Sequence, residues 1–157
     1  MSLDNKPIYT GGCQCGAVRF RIEGALANAS ICHCRMCQKA TGGIGGLLVD
    51  VRGLDWTRGT PARFRSSNVA RRGFCRDCGT PLSYETSKGI AISIAAFDRP
   101  GEIAPVIQLD RRSRLPWFGA MHELPEPDPQ EQAAKAQQYA AVVSHQHPDH
   151  ETDTWEP

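Results

Sequence analysis

Cysteines at short spacings dominate the chemistry available to this chain. They fall as Cys13-Gln14-Cys15, Cys32-His33-Cys34-Arg35-Met36-Cys37 and Cys75-Arg76-Asp77-Cys78, seven in all. Seven thiols cannot all pair as disulfides, and neighbours one or two residues apart seldom reach disulfide geometry. The same spacings let two thiolates grip one cation, since zinc takes four ligands with Zn–S near ~2.3 Å. Seven divides as four and three. Four cysteines close a structural site, whereas three protein ligands and an open position are the arrangement of a reactive one.

The residues that follow each cluster suggest how the thiols are shared. Cys15-Gly16 and Cys78-Gly79 end alike, and a glycine there lets the backbone turn under a metal with amides aimed at sulfur. Such knuckles pair, so Cys13, Cys15, Cys75 and Cys78 are expected to form the closed site and to tie together segments far apart in sequence. The middle cluster continues as Gln38-Lys39 without a knuckle. Cys32, Cys34 and Cys37 are left as a three-thiolate cup, with His33 pointing to the opposite face if Cys32 and Cys34 lie on a strand. Two readings compete with the open cup. His122 could complete a second structural zinc, or the thiols could hold an iron–sulfur cluster, which normally wants four cysteines.

The elements that must position these groups read as short strands. Ala17 to Ile22 alternates apolar with basic residues, and Leu47 to Val51, Ala62 to Arg65 and Ile90 to Phe97 are further candidates, the last buried on both faces. One or two helical turns fit between Cys34 and Thr41, and Gly42-Gly43-Ile44-Gly45-Gly46 forms a flexible loop after them. The fold class expected is mainly β: an antiparallel domain over residues 1–124, stapled by metal because its core is thin.

Residues 125–157 are a different material. Pro125, Pro127 and Pro129 give an extended lead-in, and Asp128 can cap a helix with Pro129 at its first position and Glu131 in its first turn. Gln130 to Val143 should be helical and His145 onward irregular. A helix this short is marginal alone, so the extension should contact either its own body or a second copy. His145-Gln146-His147-Pro148-Asp149-His150 spells HxHxDH, the metal motif of metallo-β-lactamase-like hydrolases, in a chain too short for that fold. A chance match is the expectation.

Charge is divided along the same boundary. Residues 1–124 carry 17 Lys and Arg against 10 Asp and Glu, while residues 125–157 carry one Lys against seven acids. The basic body suits a small anionic ligand or the acidic extension itself. Nucleic-acid binding is not expected, because the arginines are dispersed apart from Arg111-Arg112-Ser113-Arg114. No apolar run approaches the ~20 residues of a membrane helix. The start, MSLDNKPIYT, lacks signal-peptide character. Clustered reduced cysteines without a secretory signal point to the cytoplasm.

The ordered set Gly-Gly-Cys13-x-Cys15-Gly16, Cys32-His33-Cys34-x-x-Cys37, a glycine-rich stretch and Phe74-Cys75-x-x-Cys78-Gly79-Thr80 closely resembles the glutathione-dependent formaldehyde-activating enzyme family. Centromere protein V-like proteins are among its relatives, and the resemblance spans about Tyr9 to Leu124. It implies an Mss4-like fold and two zinc ions. Cys13, Cys15, Cys75 and Cys78 match the structural-zinc positions, and Cys32, Cys34 and Cys37 the catalytic-zinc positions. Trp117 matches a common tryptophan. Two departures stand out: Gln108 where Pro-x-x-His is frequent, and Glu123-Leu124-Pro125 where Gly-Leu-Pro is frequent.

A zinc held by three thiolates is a weak Lewis acid, poor at making hydroxide and better at holding a thiol as thiolate. The expected activity is that of a carbon–sulfur lyase. A small thiol, glutathione by resemblance, would add to an aldehyde such as formaldehyde to give a hemithioacetal, or the adduct would be cleaved. Lys39, Arg71 and Arg72 flank the clusters in sequence and could meet an anionic thiol, though surface charge also explains them. The alternative is a non-enzymatic zinc scaffold or adduct-binding module, because thiols add to formaldehyde without help.

Overall fold

The computed structural model describes residues 6–156. Ten strands, β1 (Ile8–Gly12), β2 (Arg19–Glu23), β3 (Ala27–Cys32), β4 (Gly46–Val51), β5 (Leu54–Arg58), β6 (Ala62–Arg65), β7 (Ala70–Phe74), β8 (Pro81–Thr86), β9 (Gly89–Ser93) and β10 (Ile107–Leu109), form two sheets. The smaller has the order β1-β2-β5, the larger β10-β3-β4-β9-β8-β7-β6. All pairings are antiparallel except that of β10 with β3. The described residues also form two α-helices, α1 (Arg35–Thr41) and α2 (Pro129–Tyr139). The expected mainly β, antiparallel class with a short C-terminal helix is what is found.

The alternation read in β2 buries Phe20 and Ile22, which meet Val49 of β4, Leu82 of β8 and Ile92 of β9 in one core between the sheets. Phe20 packs edge-on against Phe97 at 5.2 Å and Trp56 at 6.0 Å, favourable geometry for aromatic quadrupoles. Gly11 permits this approach: a Cβ there would strike the Ala96 carbonyl and the Phe20 ring. The apolar run expected as one strand over Ile90 to Phe97 instead leaves the sheet after Ser93 and makes a 3-10 turn at Ile94–Ala96. That turn buries Ile94 and Ala96 under the core, as a strand would have done.

Asp98 follows that turn and receives both guanidinium nitrogens of Arg19, at 2.9 and 2.6 Å, plus the Thr10 hydroxyl at 2.6 Å. Arg19 is only 3% exposed, buried by neutralisation rather than by apolar packing, whereas Arg21 and Glu23 of the same strand stay toward solvent. The second carboxylate on Arg19 comes from the extension: Glu151 accepts from Nη2 at 2.8 Å.

Asp128 caps α2 as expected, accepting from the amides of Gln130 at 2.8 Å and Glu131 at 3.0 Å. The helix stops at Tyr139, short of Val143. Every residue of α2 is exposed, and from 104 to 146 no residue is buried. The chain then docks on its own body. His147, 2% exposed, donates its amide to the Gln14 carbonyl at 2.7 Å, and Arg58 holds the Thr152 carbonyl and hydroxyl.

Candidate metal centres

Four thiols meet where two strands end. Cys13 and Cys15 follow β1, and Cys75 and Cys78 follow β7. Their sulfurs lie within 4.8 Å of one another, with Cys13–Cys15 at 3.6 Å and Cys15–Cys75 at 3.8 Å. Sulfurs at ~2.3 Å around a tetrahedral zinc are ~3.8 Å apart, so the donor set fits that ion in number, type and spacing. All seven cysteines are free thiols. Both knuckle glycines take left-handed backbone, φ 76° at Gly16 and 78° at Gly79, where a side chain would be strained. The turns this allows aim the Val18 amide at the Cys13 sulfur at 3.2 Å. Thr80, Oγ1 at 3.1 Å from the Cys78 sulfur, also accepts the Gln14 amide at 3.0 Å and so links the two knuckles.

Without an ion, Cys13 and Cys78 are unequal. Burial pushes Cys13 up to about 12, its Val18 amide bond offsetting only part of this. Cys78 moves the other way: burial raises it, but hydrogen bonds from Thr80 and the Cys15 amide outweigh that and bring it to about 6. Binding a cation at such thiols releases protons.

Cys32, Cys34 and Cys37 form the second group, again with sulfurs within 4.8 Å. Cys32 ends β3, and Cys34 is the N-cap of α1, its sulfur accepting the Cys37 amide at 3.4 Å. The chain turns from strand to helix between the first two ligands, so Cys37 is brought back by one helical turn. Gly42 closes α1 with φ 66°, and Gly46, opposite Cys32 in the β3–β4 register, leaves room for Cys37. Burial lifts Cys32 to about 12, while amide and thiol hydrogen bonds overcome burial and lower Cys34.

Among the described residues no histidine or carboxylate joins the trio. His122, the expected competitor for a fourth position, is 77% exposed beside Glu123. His33 is fully buried and spends its contacts elsewhere: its Nε2 meets the Gln108 side chain at 3.2 Å, its amide donates to the Leu109 carbonyl, and its ring stands edge-on to Phe118. Gln108 of β10 is therefore engaged by His33, which follows β3. Gln38 adds a second strap, donating to the carbonyls of His33 at 2.8 Å and Ser113 at 3.0 Å.

A cavity of about 300 Å³ is lined by Lys39 and Thr41 of α1, Phe64, Phe74, Arg72 and Gly79, and by none of the cysteines. Arg72 joins it to the metal group, with Nη2 3.3 Å from the Cys37 sulfur. Arg71, its neighbour, is exposed on the other face of β7. A second cavity, about 620 Å³ around Asn28, Asp50 and Lys88, likewise has no cysteine in its lining.

The HxHxDH stretch assembles no metal group among the described residues. His145 and His150 are exposed, whereas His147 is a buried strut. Its Nδ1 donates to the Pro148 carbonyl at 2.7 Å, leaving Nε2 to accept from the Thr152 hydroxyl at 3.0 Å. Burial, then the charges of Arg19 and Arg58, hold its pKa below the usual value. Trp155 stacks edge-on to it, and both rings crowd Gly16. Nothing in the spacing of the extension announces this docking beyond its acidic charge.

Comparison with known proteins gives a family match and similar solved structures. A family model described as glutathione-dependent formaldehyde-activating enzyme matches residues 8–111. A crystal structure of a Rhodobacter sphaeroides protein is similar, with 25% identity, a TM-score of 0.45, and coverage of 55% of this chain and 85% of that one. No curated protein matches. No helix among the described residues is long and apolar enough to cross a membrane.

Proposed function

Since this chain belongs to the glutathione-dependent formaldehyde-activating enzyme family, whose Mss4-like fold its two sheets share, we propose that it joins a small thiol to an aldehyde, or cleaves the adduct, at a zinc held by Cys32, Cys34 and Cys37. The observation that carries this reading is the four-and-three division of the thiols, in which the trio gathers no fourth protein donor among the described residues. A second zinc, held by Cys13, Cys15, Cys75 and Cys78, is structural and ties β1 to β7 and β8.

Bound at the trio, zinc would supply a seat that keeps a thiol in its thiolate form. The rest is done by the chain. Lys39, in the cavity that Arg72 joins to the trio, attracts an anionic thiol such as glutathione. Phe64 and Phe74 give the cavity an apolar side, open to solvent. The thiolate sulfur forms a bond to the carbonyl carbon, the C=O π pair moves to oxygen, and that oxygen takes a proton from solvent to give a hemithioacetal. In reverse, the hydroxyl proton leaves, the carbonyl reforms and the carbon–sulfur bond breaks.

The test compares thiol–aldehyde exchange rates with and without the zinc-loaded protein. Acceleration by the native chain that disappears in Cys32→Ser, with the fold retained, supports the enzyme. A chain that binds zinc yet accelerates exchange with no thiol is instead a scaffold or adduct-binding module.

A further inference from the structure

Arg72 is a buried guanidinium without a carboxylate. It is 7% exposed, in the middle of β7, with Phe64 and Tyr84 as its cross-strand neighbours. Its Nε donates to the Ser66 hydroxyl at 2.9 Å, its Cζ lies over the Tyr84 ring, 4.9 Å from the centre, and its Nη2 donates to the Cys37 sulfur at 3.3 Å. Among the described residues it makes no ion pair with Asp or Glu. Burying an uncompensated charge is costly, and a serine hydroxyl and a ring face do not neutralise it. The remaining partner is the cysteine trio, which is negative when its thiols are deprotonated.

We propose that Arg72 is the counter-charge of the trio and makes its open position selective for an anionic ligand, a thiolate, over a neutral one. This rests on the functional reading above and deepens it. Three thiolates and a divalent cation leave one net negative charge, which the guanidinium cancels. A thiolate arriving as fourth ligand would otherwise join a site already negative; with Arg72 it joins a neutral one. The Ser66 bond and the Tyr84 ring hold the guanidinium plane, so the N–H bond to Cys37 sulfur is fixed before any ligand arrives. Arg72 acts through Cys37 and is a positioning residue.

The test is ligand binding to the cobalt(II)-loaded protein, followed by its visible spectrum, with 2-mercaptoethanol as the thiol and imidazole as the neutral ligand. 2-Mercaptoethanol carries no carboxylate, so Lys39 does not enter the comparison. Arg72→Met is expected to keep two metals per chain, to bind the thiol about tenfold to a hundredfold more weakly, and to bind imidazole as the native protein does. Arg72→Lys, which keeps charge but not the planar fork, is expected to recover most of the thiol affinity. Equal losses for both ligands, or for neither, make Arg72 a structural strut and overturn the proposal. So does Arg72→Lys binding thiol as poorly as Arg72→Met. A native protein that takes imidazole but no thiol overturns the functional reading, and this proposal falls with it.

Discussion

The amide of His147 donates to the carbonyl of Gln14 at 2.7 Å, fixing the acidic extension to the loop between Cys13 and Cys15. A segment outside the family match thereby braces the four-thiolate knuckle. His147→Ala removes a buried, hydrogen-bonded ring and should lower the unfolding free energy by about 1–3 kcal/mol. His145→Ala and His150→Ala, both exposed, should stay within about 0.5 kcal/mol of native. Urea melts measure all three, and zinc content should be unchanged in each.

Acid should loosen this clasp in two stages. His147 is held below its ordinary 6.5, so the unfolded chain binds the proton more readily, and stability present above that value is lost as pH falls below it. Asp98 is lowered from 3.8, because the bonds and charge of Arg19 and the Thr10 hydroxyl outweigh burial. Its contribution is complete above that value and disappears as pH falls through its folded pKa. His147→Ala should abolish the first stage alone. Asp98→Asn should remove the second and cost about 3 kcal/mol at neutral pH, by leaving buried Arg19 with Glu151 only.

How much of this was legible in the sequence follows from the range of each interaction. The strands over Leu47 to Val51 and Ala62 to Arg65, the Asp128 cap and both Cys-Gly knuckles depend on neighbours along the chain, and each could be read. The end of β9 could not, because an apolar run does not distinguish strand from buried turn. Nor could the end of α2, where no glycine marks the stop and Val142 already bonds Tyr139 in a turn. Arg72 reaching Cys37, His33 meeting Gln108, and His147 meeting Gln14 all span sheet register or opposite ends of the chain. Residue type alone gave Arg72 as surface charge or a contact for an anionic thiol, His33 as a side chain on the face away from the thiols, and His147 as part of a chance metal motif.

Gly16 should tolerate no side chain. Its φ of 76° strains any L residue, and a Cβ would lie 2.5 Å from the His147 ring and 2.6 Å from Trp155. Gly16→Ala should cost about 2 kcal/mol or more and release the extension. Limited proteolysis between 140 and 156, faster than native, would report that release; an unchanged digest would mean the knuckle and extension are not coupled.

Gly46 tests the second group. A Cβ there would sit 3.2 Å from both Cβ and Sγ of Cys37, so Gly46→Ala must push on the trio and not on the knuckles. Faster loss of one zinc to a chelator, with the other unaffected, is the expected result.

Zinc stoichiometry bears most directly on the division of the thiols. Native protein should hold two zinc ions per chain, Cys32→Ser one with the melt of the remaining fold nearly unchanged, and Cys78→Ser a largely unfolded chain. Native protein with one zinc, or Cys32→Ser and Cys78→Ser unfolding alike, would contradict a structural site of four thiols and a separate, reactive site of three.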